Sequence, residues 1–409
     1  MNIARNYPKV MITEKAERAV KNGHPWVYGD EILSVSEDTD DGCLVDVVSK
    51  KNRYLGTGFI NSNSKIRVRI ISDNTNDKFD RDFFRRRLTH AIDYRETVMG
   101  SDFDCCRLIF GEADKFPGLT VDKFGPILVT QVLSLGIEKI KSMLFEDLVS
   151  ILRGRGYAVD AVYERNDVAI RQKEGLEEYT GFFSSPCLAT DLDGHVIITE
   201  NGIKYDVDYI NGQKTGFFLD QKYNRQAAAR IAPGKRVLDC FTHTGAFGLN
   251  AAKAGAAHVC SVDISGRAIE MAKANARLNG LESNMSFECA DVFELLTGLA
   301  AKGRSDYDYI ILDPPAFTKS SSTVKNAIKG YKEINMKAMK LLPRGGYLAT
   351  CSCSHFMTEE LFRNMLKDAA FDAKVSLRQI EARQQSPDHP ILLNVPETDY
   401  LKFFIFQVV

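Results

Sequence analysis

The second half of the chain alternates short apolar runs with helical runs, and this alternation limits the fold more than any other feature. RVLDCF, HVCSVD, YDYIILD and YLATCSC are strand-like, and helical runs such as SGRAIEMAKANARLNG lie between them. In that helical run, Ser265 can cap the start and Gly280 can end the helix. Repeated strand–helix units predict a parallel sheet covered by helices on both faces, the doubly wound α/β architecture.

The first part of the chain is patterned differently. CLVDVV, YLGTGFI and KIRVRII are short β-rich runs separated by turn residues,. We predict three domains: a small β-rich barrel over 1–74, a central α+β linking domain over 75–185, and a Rossmann-like, doubly wound domain over 186–409. Near the start of the third domain, Asn211-Gly212 predicts a tight hairpin turn between two strand-like runs.

Composition excludes several classes of protein. The 409 residues are 44% hydrophobic and 26% charged with a formal net charge of −1, so global basicity does not indicate nucleic acid,. The charged amino terminus and the lack of a run of about 18 apolar residues predict a cytoplasmic protein without a membrane span. The nine cysteines follow no zinc-binding spacing, so we expect no metal,.

Four strand-like runs end in or are followed by an aspartate. Because ligands of doubly wound sheets bind beyond the carboxyl ends of the strands, these side chains should line one crevice. Gly245 follows the first of them and lets the backbone approach a ligand. The second acid is placed to bind ribose hydroxyls, and the third could accept from an adenine amino group. The four residues are Asp239, Asp263, Asp291 and Asp313.

Two short motifs suggest catalytic residues at the same edge of the sheet, beyond the carboxyl ends of the strands. In DPPAF, the prolines after Asp313 stiffen a loop that could hold this aspartate and Phe317 against a planar substrate,. In LATCSCSHF, Cys351 and Cys353 follow a buried strand. Alternation places both cysteines on one face of an extended segment, so periodicity does not choose between them.

These motifs, taken in order, resemble those of class I S-adenosylmethionine-dependent methyltransferases. More narrowly, GQKTGFFLDQKYNR (212–225), DPPAF and TCSCSH (350–355) resemble the RlmI-type 23S rRNA (cytosine-C5) methyltransferase family. The amino-terminal segments GHPWVYGDEI and GTGFINSNSKIRVRI resemble the PUA domain of that family, and RLIFGEADKFPGLTVDKFG resembles its central domain.

The resemblance implies a cofactor and the residues that bind it. The cofactor is S-adenosylmethionine, which leaves as S-adenosylhomocysteine. The chain has Gly245-Ala246 where the family usually has Gly-Gly, and His355-Phe356 where it often has two histidines. The implied cofactor-binding residues are Gln221, Arg225, Asp239, Gly245, Asp263, Asp291, Asp313 and Pro314.

The resemblance also implies methylation of carbon 5 of a cytosine in 23S rRNA or a large-subunit precursor. A thiolate that adds to C6 makes C5 nucleophilic, and Cys353 matches the nucleophile of the family. Asp313 would then hydrogen-bond N3 and the exocyclic amine of the base. The base that removes the C5 proton stays open, with His355 as one candidate.

Basic residues in the first domain suggest an RNA surface. Arg67 and Arg69 lie two apart on one strand-like run and therefore share a face,. They predict a patch that binds RNA phosphates, and a merely solvated charged face is the alternative.

Two other functions stay open. An amino-group methyltransferase also uses an Asp/Asn-Pro-Pro-aromatic loop, but here Ala316 separates the prolines from Phe317. A non-catalytic RNA-binding or assembly protein could retain a cofactor fold, although it would be expected to lose Cys353 or the cofactor motif. The oligomeric state, monomer or homodimer, also stays open.

Overall fold

The computed structural model describes residues 5–303, 305–318 and 320–409. The chain divides into two compact units, and each unit is built from several segments. The first comprises Met1–Ile197, Val207–Leu219 and Pro387–Thr398; the second comprises Ile198–Asp206, Asp220–Ser386 and Asp399–Val409.

The amino-terminal part of the first unit is β-rich, as predicted. Its sheet has the order β2-β6-β5-β4-β1-β3 and encloses an apolar core that includes Val10, Val45 and Val68. The elements are β1 (Lys9–Ile12), α1 (Glu14–Lys21), β2 (Trp26–Tyr28), β3 (Ile32–Val35), β4 (Leu44–Val48), β5 (Tyr54–Ile60) and β6 (Ile66–Ser72).

The central part of the first unit is α+β. Asp80 caps its first helix by accepting from the Phe83 amide at 2.9 Å,. The sheet order is β11-β10-β9-β8-β7, in which only the β9–β10 pair is parallel. The elements are α2 (Arg81–Met99), β7 (Cys105–Phe110), β8 (Leu119–Phe124), β9 (Ile127–Val132), α3 (Leu135–Gly154), β10 (Ala161–Asn166) and β11 (Tyr179–Phe182).

A late segment of the chain, Pro387–Thr398, belongs to this first unit. Buried Asp388 accepts from the Arg107 amide through Oδ2 at 2.8 Å, and its carbonyl accepts from Arg95 Nη2 at 2.9 Å. Arg95 is itself fully buried and pairs with Asp114. Residues near the end of the chain therefore complete polar contacts of the central sheet and of α2.

Strands β12 (His195–Glu200) and β13 (Ile203–Asp208) form a two-stranded hairpin. Its turn is Asn201-Gly202, where both residues have positive φ, 53° and 73°, as a tight hairpin requires,. The prediction of a hairpin turn at Asn211-Gly212 was wrong. There the Asn211 amide donates to the Asp208 side chain at 2.7 Å, and the chain continues without a second strand.

The second unit contains a seven-stranded sheet flanked by helices, and the doubly wound prediction is confirmed. The sheet order is β16-β15-β14-β17-β18-β20-β19; β14 to β18 are parallel, and the last two strands are antiparallel. The elements are α4 (Lys222–Ala229), β14 (Arg236–Cys240), α5 (Ala246–Lys253), β15 (His258–Asp263), α6 (Gly266–Leu278), β16 (Met285–Cys289), α7 (Val292–Ala301), β17 (Tyr309–Leu312), α8 (Val324–Leu341), β18 (Tyr347–Ser352), α9 (Glu359–Ala373), β19 (Leu377–Arg383) and β20 (Lys402–Val408).

The direction of strand addition reverses between β14 and β17, which are neighbours in the sheet although β15 and β16 lie between them in sequence. Such a reversal opens a crevice at the carboxyl ends of the strands. Within the described residues, no helix is long and apolar enough to cross a membrane. The same residues contain no cluster of His, Cys, Asp and Glu suited to a metal ion.

Candidate active site

Asp239 organises the turn that follows β14. Its Oδ2 accepts hydrogen bonds from Thr242 Oγ1 at 2.5 Å and from the Gly248 amide at 2.8 Å. Its Oδ1 is buried without a hydrogen-bond partner in the described part of the chain. Burial raises the pKa of Asp239 to about 7, and the nearby charges of Asp313 and Asp263 act in the same direction,. Three strand-end carboxylates therefore interact at one edge of the sheet.

The turn itself has an uncommon backbone. Phe241, His243 and Gly245 all have positive φ, at 61°, 50° and 83°. This conformation is costly for residues other than glycine, and such strain is concentrated at ligand-binding sites. The resulting loop leads directly into α5, which begins at Ala246.

Gly248 is a second required glycine, which the sequence analysis did not identify. A Cβ atom there would lie 2.5 Å from Ser261 Oγ and 2.9 Å from Asp239 Oδ2. Helix α5 can therefore pack this closely on β14 and β15 only with glycine at this position. In the sequence, the second glycine of the GAFG motif (245–248) was the signal that could have indicated this close packing.

Asp263 ends β15 and braces the same turn. Its Oδ2 accepts from the His243 amide and its Oδ1 accepts from the Ser265 amide, both at 2.9 Å. The adjoining Ile264 side chain is 69% exposed and adds an apolar surface beside the carboxylate. Each carboxylate oxygen retains a lone pair that can accept from a ligand hydroxyl.

Asp291, which we predicted to accept from an adenine amino group, has a structural role in the fold. It is the N-cap of α7, where its Oδ1 accepts from the amides of Phe293 and Glu294 at 2.7 and 3.2 Å,. This cap fixes the side chain two residues beyond the carboxyl end of β16.

Asp313, Gln221 and Cys351 form a polar cluster beyond β17. Asp313 Oδ1 accepts from Gln221 Nε2 at 3.0 Å and from Cys351 Sγ at 3.1 Å. Burial raises the pKa of Asp313, so that a protonated carboxyl group is favoured relative to a solvated aspartate,. Burial, followed by the Asp313 charge, also raises the pKa of Cys351 well above its usual value. Cys351 is therefore a fully buried thiol that donates to Asp313.

The residues around Cys353 are anchored on both sides, whereas Cys353 itself is only partly buried. Ser352 Oγ donates to Tyr331 Oη at 3.0 Å, and Ser354 Oγ donates to the Thr318 carbonyl at 2.9 Å. Thr318 directly follows the DPPAF loop. The two serines thus tie the Cys353 loop to α8 and to the end of that loop.

The remaining members of these loops are placed as follows. Pro314 is buried, and the Phe317 ring packs 4.5 Å from the Tyr331 ring, so this aromatic anchors its loop on α8. His355 is half-buried, and its Nδ1 has no hydrogen-bond partner among the residues described.

Arg225 lies in a buried ion pair. Its Nη1 is 2.5 Å from Glu200 Oε1; the arginine side chain is 3% exposed and the glutamate is fully buried. The pair joins α4 to β12 within the second unit. These contacts give Arg225 a structural role beside the cofactor role that the resemblance implies.

Arg67 and Arg69 differ in their surroundings. Arg69 is 11% exposed and pairs with Glu174 at 2.8 Å and with Glu112 at 3.4 Å. Arg67 is half-exposed and donates to the Asn61 carbonyl at 3.1 Å. Arg69 thus joins the β-rich part of the first unit to its central part, and only Arg67 retains surface for a phosphate.

The strand-end cluster fits a cationic ligand. S-adenosylmethionine carries a sulfonium and an ammonium group, and either would offset the mutual repulsion of Asp239, Asp263 and Asp313. Two features support the same assignment: the buried Oδ1 of Asp239, which has no hydrogen-bond partner among the described residues, and the positive-φ turn around Gly245.

Comparison with protein families gives two matches. Residues 10–73 match the PUA-like domain, and residues 183–407 match the S-adenosylmethionine-dependent methyltransferase family. Two solved chains share the fold: one from Streptococcus mutans assigned as a SAM-dependent methyltransferase (24% identity, TM-score 0.81), and one assigned as a methyltransferase in complex with SAH (23%, 0.82). Each match covers 98% of this chain and all of the other.

Relatives of nearly equal length are more similar in sequence. Ribosomal RNA large subunit methyltransferase I of Shewanella denitrificans is 42% identical over 98% of this chain and 99% of its own. The protein of the same name from Aeromonas salmonicida is 40% identical over 97% and 98%. The predicted family, PUA-like domain and cofactor are confirmed: the chain belongs to the S-adenosylmethionine-dependent methyltransferases that include ribosomal RNA large subunit methyltransferase I.

Proposed function

We propose that this protein methylates carbon 5 of a cytosine in 23S rRNA through a covalent adduct with Cys353. The observation that carries the proposal is the difference between the two neighbouring cysteines. Cys351 is a buried thiol bound to Asp313, whereas Cys353 is partly exposed on a loop anchored beside the DPPAF loop. The names of the full-length relatives support rRNA as the substrate.

In the first step, the Cys353 thiolate adds to C6 of the cytosine, which breaks the aromatic ring and makes C5 nucleophilic. Asp313 is our candidate for the hydrogen bonds to N3 and the exocyclic amine. Its Oδ1 already accepts from Gln221 and Cys351, so we assign the contact with N3 to Oδ2. The raised pKa of Asp313 favours a proton on this carboxyl group, which can then be donated to N3 as charge develops there,.

S-adenosylmethionine supplies the methyl group that C5 takes up. A base then removes the C5 proton, and the electron pair left on carbon restores the ring as the bond between C6 and Cys353 Sγ breaks. N3 returns its proton to Asp313. His355 is our candidate for this base, because it lies on the nucleophile's loop and its buried Nδ1 is unpartnered within the described residues.

The rival activity, methylation of an amino group, would leave Cys353 without a role. Mass mapping of rRNA from cells with and without the gene distinguishes the two. We expect one 23S cytosine to lose a methyl group from its ring when the gene is deleted. Loss of a methyl group from an exocyclic amine would contradict the proposal.

Removal of the Asp263 carboxylate should weaken cofactor binding without RNA. Asp263→Ala is expected to cost about 1.5–3 kcal/mol, the usual range for a hydrogen bond to a charged group. Titration calorimetry with S-adenosylmethionine measures this loss. Wild-type affinity in the variant would remove Asp263 from the cofactor site.

Cofactor affinity should depend on the protonation of Asp239. Burial raises its pKa to about 7, so it is partly protonated at neutral pH, and a cationic ligand favours the ionised form,. Binding should therefore release protons near pH 7, and affinity should rise between pH 6 and 8. Cofactor binding to Asp239→Asn should not release these protons. Calorimetry in buffers of different ionisation enthalpy measures the number of protons released. Equal proton release by the two proteins would contradict the assignment.

The two arginines of the first unit should respond differently to substitution. Arg67→Gln should weaken RNA binding and reduce the salt dependence of affinity by about one counterion. Arg69→Gln should instead destabilise the first unit, because it leaves Glu174 buried without its ion pair,. RNA affinity measured at several salt concentrations, with thermal unfolding as the control, separates the two effects. An unchanged salt slope in Arg67→Gln would mean that this face is merely solvated.

A further inference from the structure

Lys402 places a positive charge inside the second unit, beside the loop that carries Cys353. It opens β20, in which the other buried residues are apolar. Lys402 is 4% exposed and lies opposite Ser352 of β18 in antiparallel register. Burial of an ammonium group is unfavourable unless nearby polar groups or charges offset the lost hydration.

The hydrogen bonds of Lys402 hold the Cys353 loop. Its Nζ donates to the Ser354 carbonyl at 2.7 Å and to the Tyr400 carbonyl at 2.8 Å. Ser354 follows Cys353 directly, so one of these bonds fixes the backbone next to the nucleophile. In the part of the chain that the structure describes, no carboxylate forms an ion pair with this ammonium group.

The charges around Lys402 include Cys353 itself. Burial lowers the pKa of Lys402 to about 8, and the negative charges of Asp399, Cys353 and Glu359 oppose this effect. Asp399 precedes β20, and Glu359 lies in the first turn of α9. An attraction that keeps the proton on Lys402 also favours the loss of the proton from Cys353, because the coupling between two sites is reciprocal.

Cys351 and Tyr331 are also in electrostatic contact with Cys353, and neither carries a charge at neutral pH. Burial raises the pKa of Cys351 and that of Tyr331, so both remain protonated. These two groups therefore supply no positive charge to a Cys353 thiolate, whereas Lys402 supplies one.

We propose that Lys402 is a positioning residue that fixes the backbone after Cys353 and favours the ionised form of the Cys353 thiol. The thiol proton passes to solvent, and Lys402 retains its own proton and stays a cation. The proposal deepens the function proposed above and rests on Cys353 as the nucleophile. Lys402 need not touch the cytosine.

The test measures the thiol without methyl transfer. Full-length protein is alkylated with iodoacetamide between pH 5.5 and 10, and the modified Cys353 peptide is quantified by mass spectrometry. Lys402→Gln retains N–H donors for the two carbonyls but removes the charge, and Lys402→Arg retains the charge. Lys337→Met is the matched control, since it removes a lysine that bonds Thr297 and Glu333 on helices α7 and α8.

We expect alkylation of Cys353 at pH 7 to be about tenfold slower in Lys402→Gln, because loss of a nearby opposite charge raises a pKa by about one unit or more. Lys402→Arg and Lys337→Met should stay close to wild type. Cofactor binding measured by calorimetry confirms that each variant is folded.

Three results would overturn the inference: an unchanged alkylation profile in folded Lys402→Gln, an equal slowing in Lys337→Met, or a failure of Lys402→Arg to restore the rate. A failure of the proposed function is separate. In that case, RNA containing 5-fluorocytosine would not become attached to Cys353, whatever the alkylation profile.

Discussion

Cys353→Ala should abolish methyl transfer while leaving the protein folded. Removal of a covalent nucleophile has cost on the order of 10⁶ in rate in another enzyme, and we expect a loss of that size here. The side chain is only partly buried, so its removal should leave little cavity. Single-turnover transfer of a labelled methyl group to rRNA measures the rate, and calorimetry with S-adenosylmethionine confirms the fold.

Cys351→Ala is the matched control two residues away. It removes a buried thiol and its hydrogen bond to Asp313, so we expect a moderate loss of stability and a far smaller loss of rate,. If Cys351→Ala were inactive and Cys353→Ala active, the assignments of the two cysteines would be reversed.

RNA containing 5-fluorocytosine should trap the reaction. Fluorine at C5 blocks the loss of a proton, so the bond between Cys353 Sγ and C6 should persist, and mass spectrometry of the peptide should locate it. The target base must leave its stack to reach the thiol, which favours an unpaired or weakly paired cytosine. A crosslink through Cys351 would reverse the assignment of the nucleophile, and a Cys353→Ala protein that stays active together with an active Cys351→Ala protein would contradict the covalent mechanism.

The second large effect concerns stability. Arg225→Met should lower the unfolding free energy of the second unit by about 3–5 kcal/mol, because it removes one partner of the buried ion pair between Arg225 and Glu200,. Hydrogen exchange of peptides from α4 and β14 under native conditions measures this change in the full-length protein.

The double variant Arg225→Met/Glu200→Gln should recover much of the loss, since it removes both charges of this ion pair. Cofactor affinity of the folded single variant tests the role that the family resemblance implies for Arg225. Unchanged stability with a large loss of affinity would make Arg225 a cofactor ligand and not a structural residue.

Short sequence patterns were sufficient to predict the features that depend only on neighbouring residues, such as the ends of helices. Ser265 caps α6 by accepting from the Ala268 amide, and the helix gives way to Gly280 at a φ of 65°, both as predicted. The aspartates at the strand ends were also predictable, because periodicity locates the end of a buried strand.

Features set by packing between distant segments were not predictable. Alternation could not separate Cys351 from Cys353, because the depth of each thiol depends on the DPPAF loop and on β20. No sequence pattern indicated the role of Lys402, because its hydrogen-bond partner Ser354 lies 48 residues away in the sequence. The pairing of Arg69 with Glu174 likewise depends on a contact between segments 105 residues apart.

The placement of Asp388 in the first unit affects how the chain can acquire its structure during synthesis. The ribosome adds Asp388, which accepts from the Arg107 amide and from Arg95 Nη2, 281 residues after Arg107 and 293 residues after Arg95. A nascent chain of 1–185 therefore lacks these contacts, and the first unit is complete only after residues 387–398 have been added. Truncation after 185 should leave a fragment prone to proteolysis, and residues 387–398 supplied as a peptide should protect it.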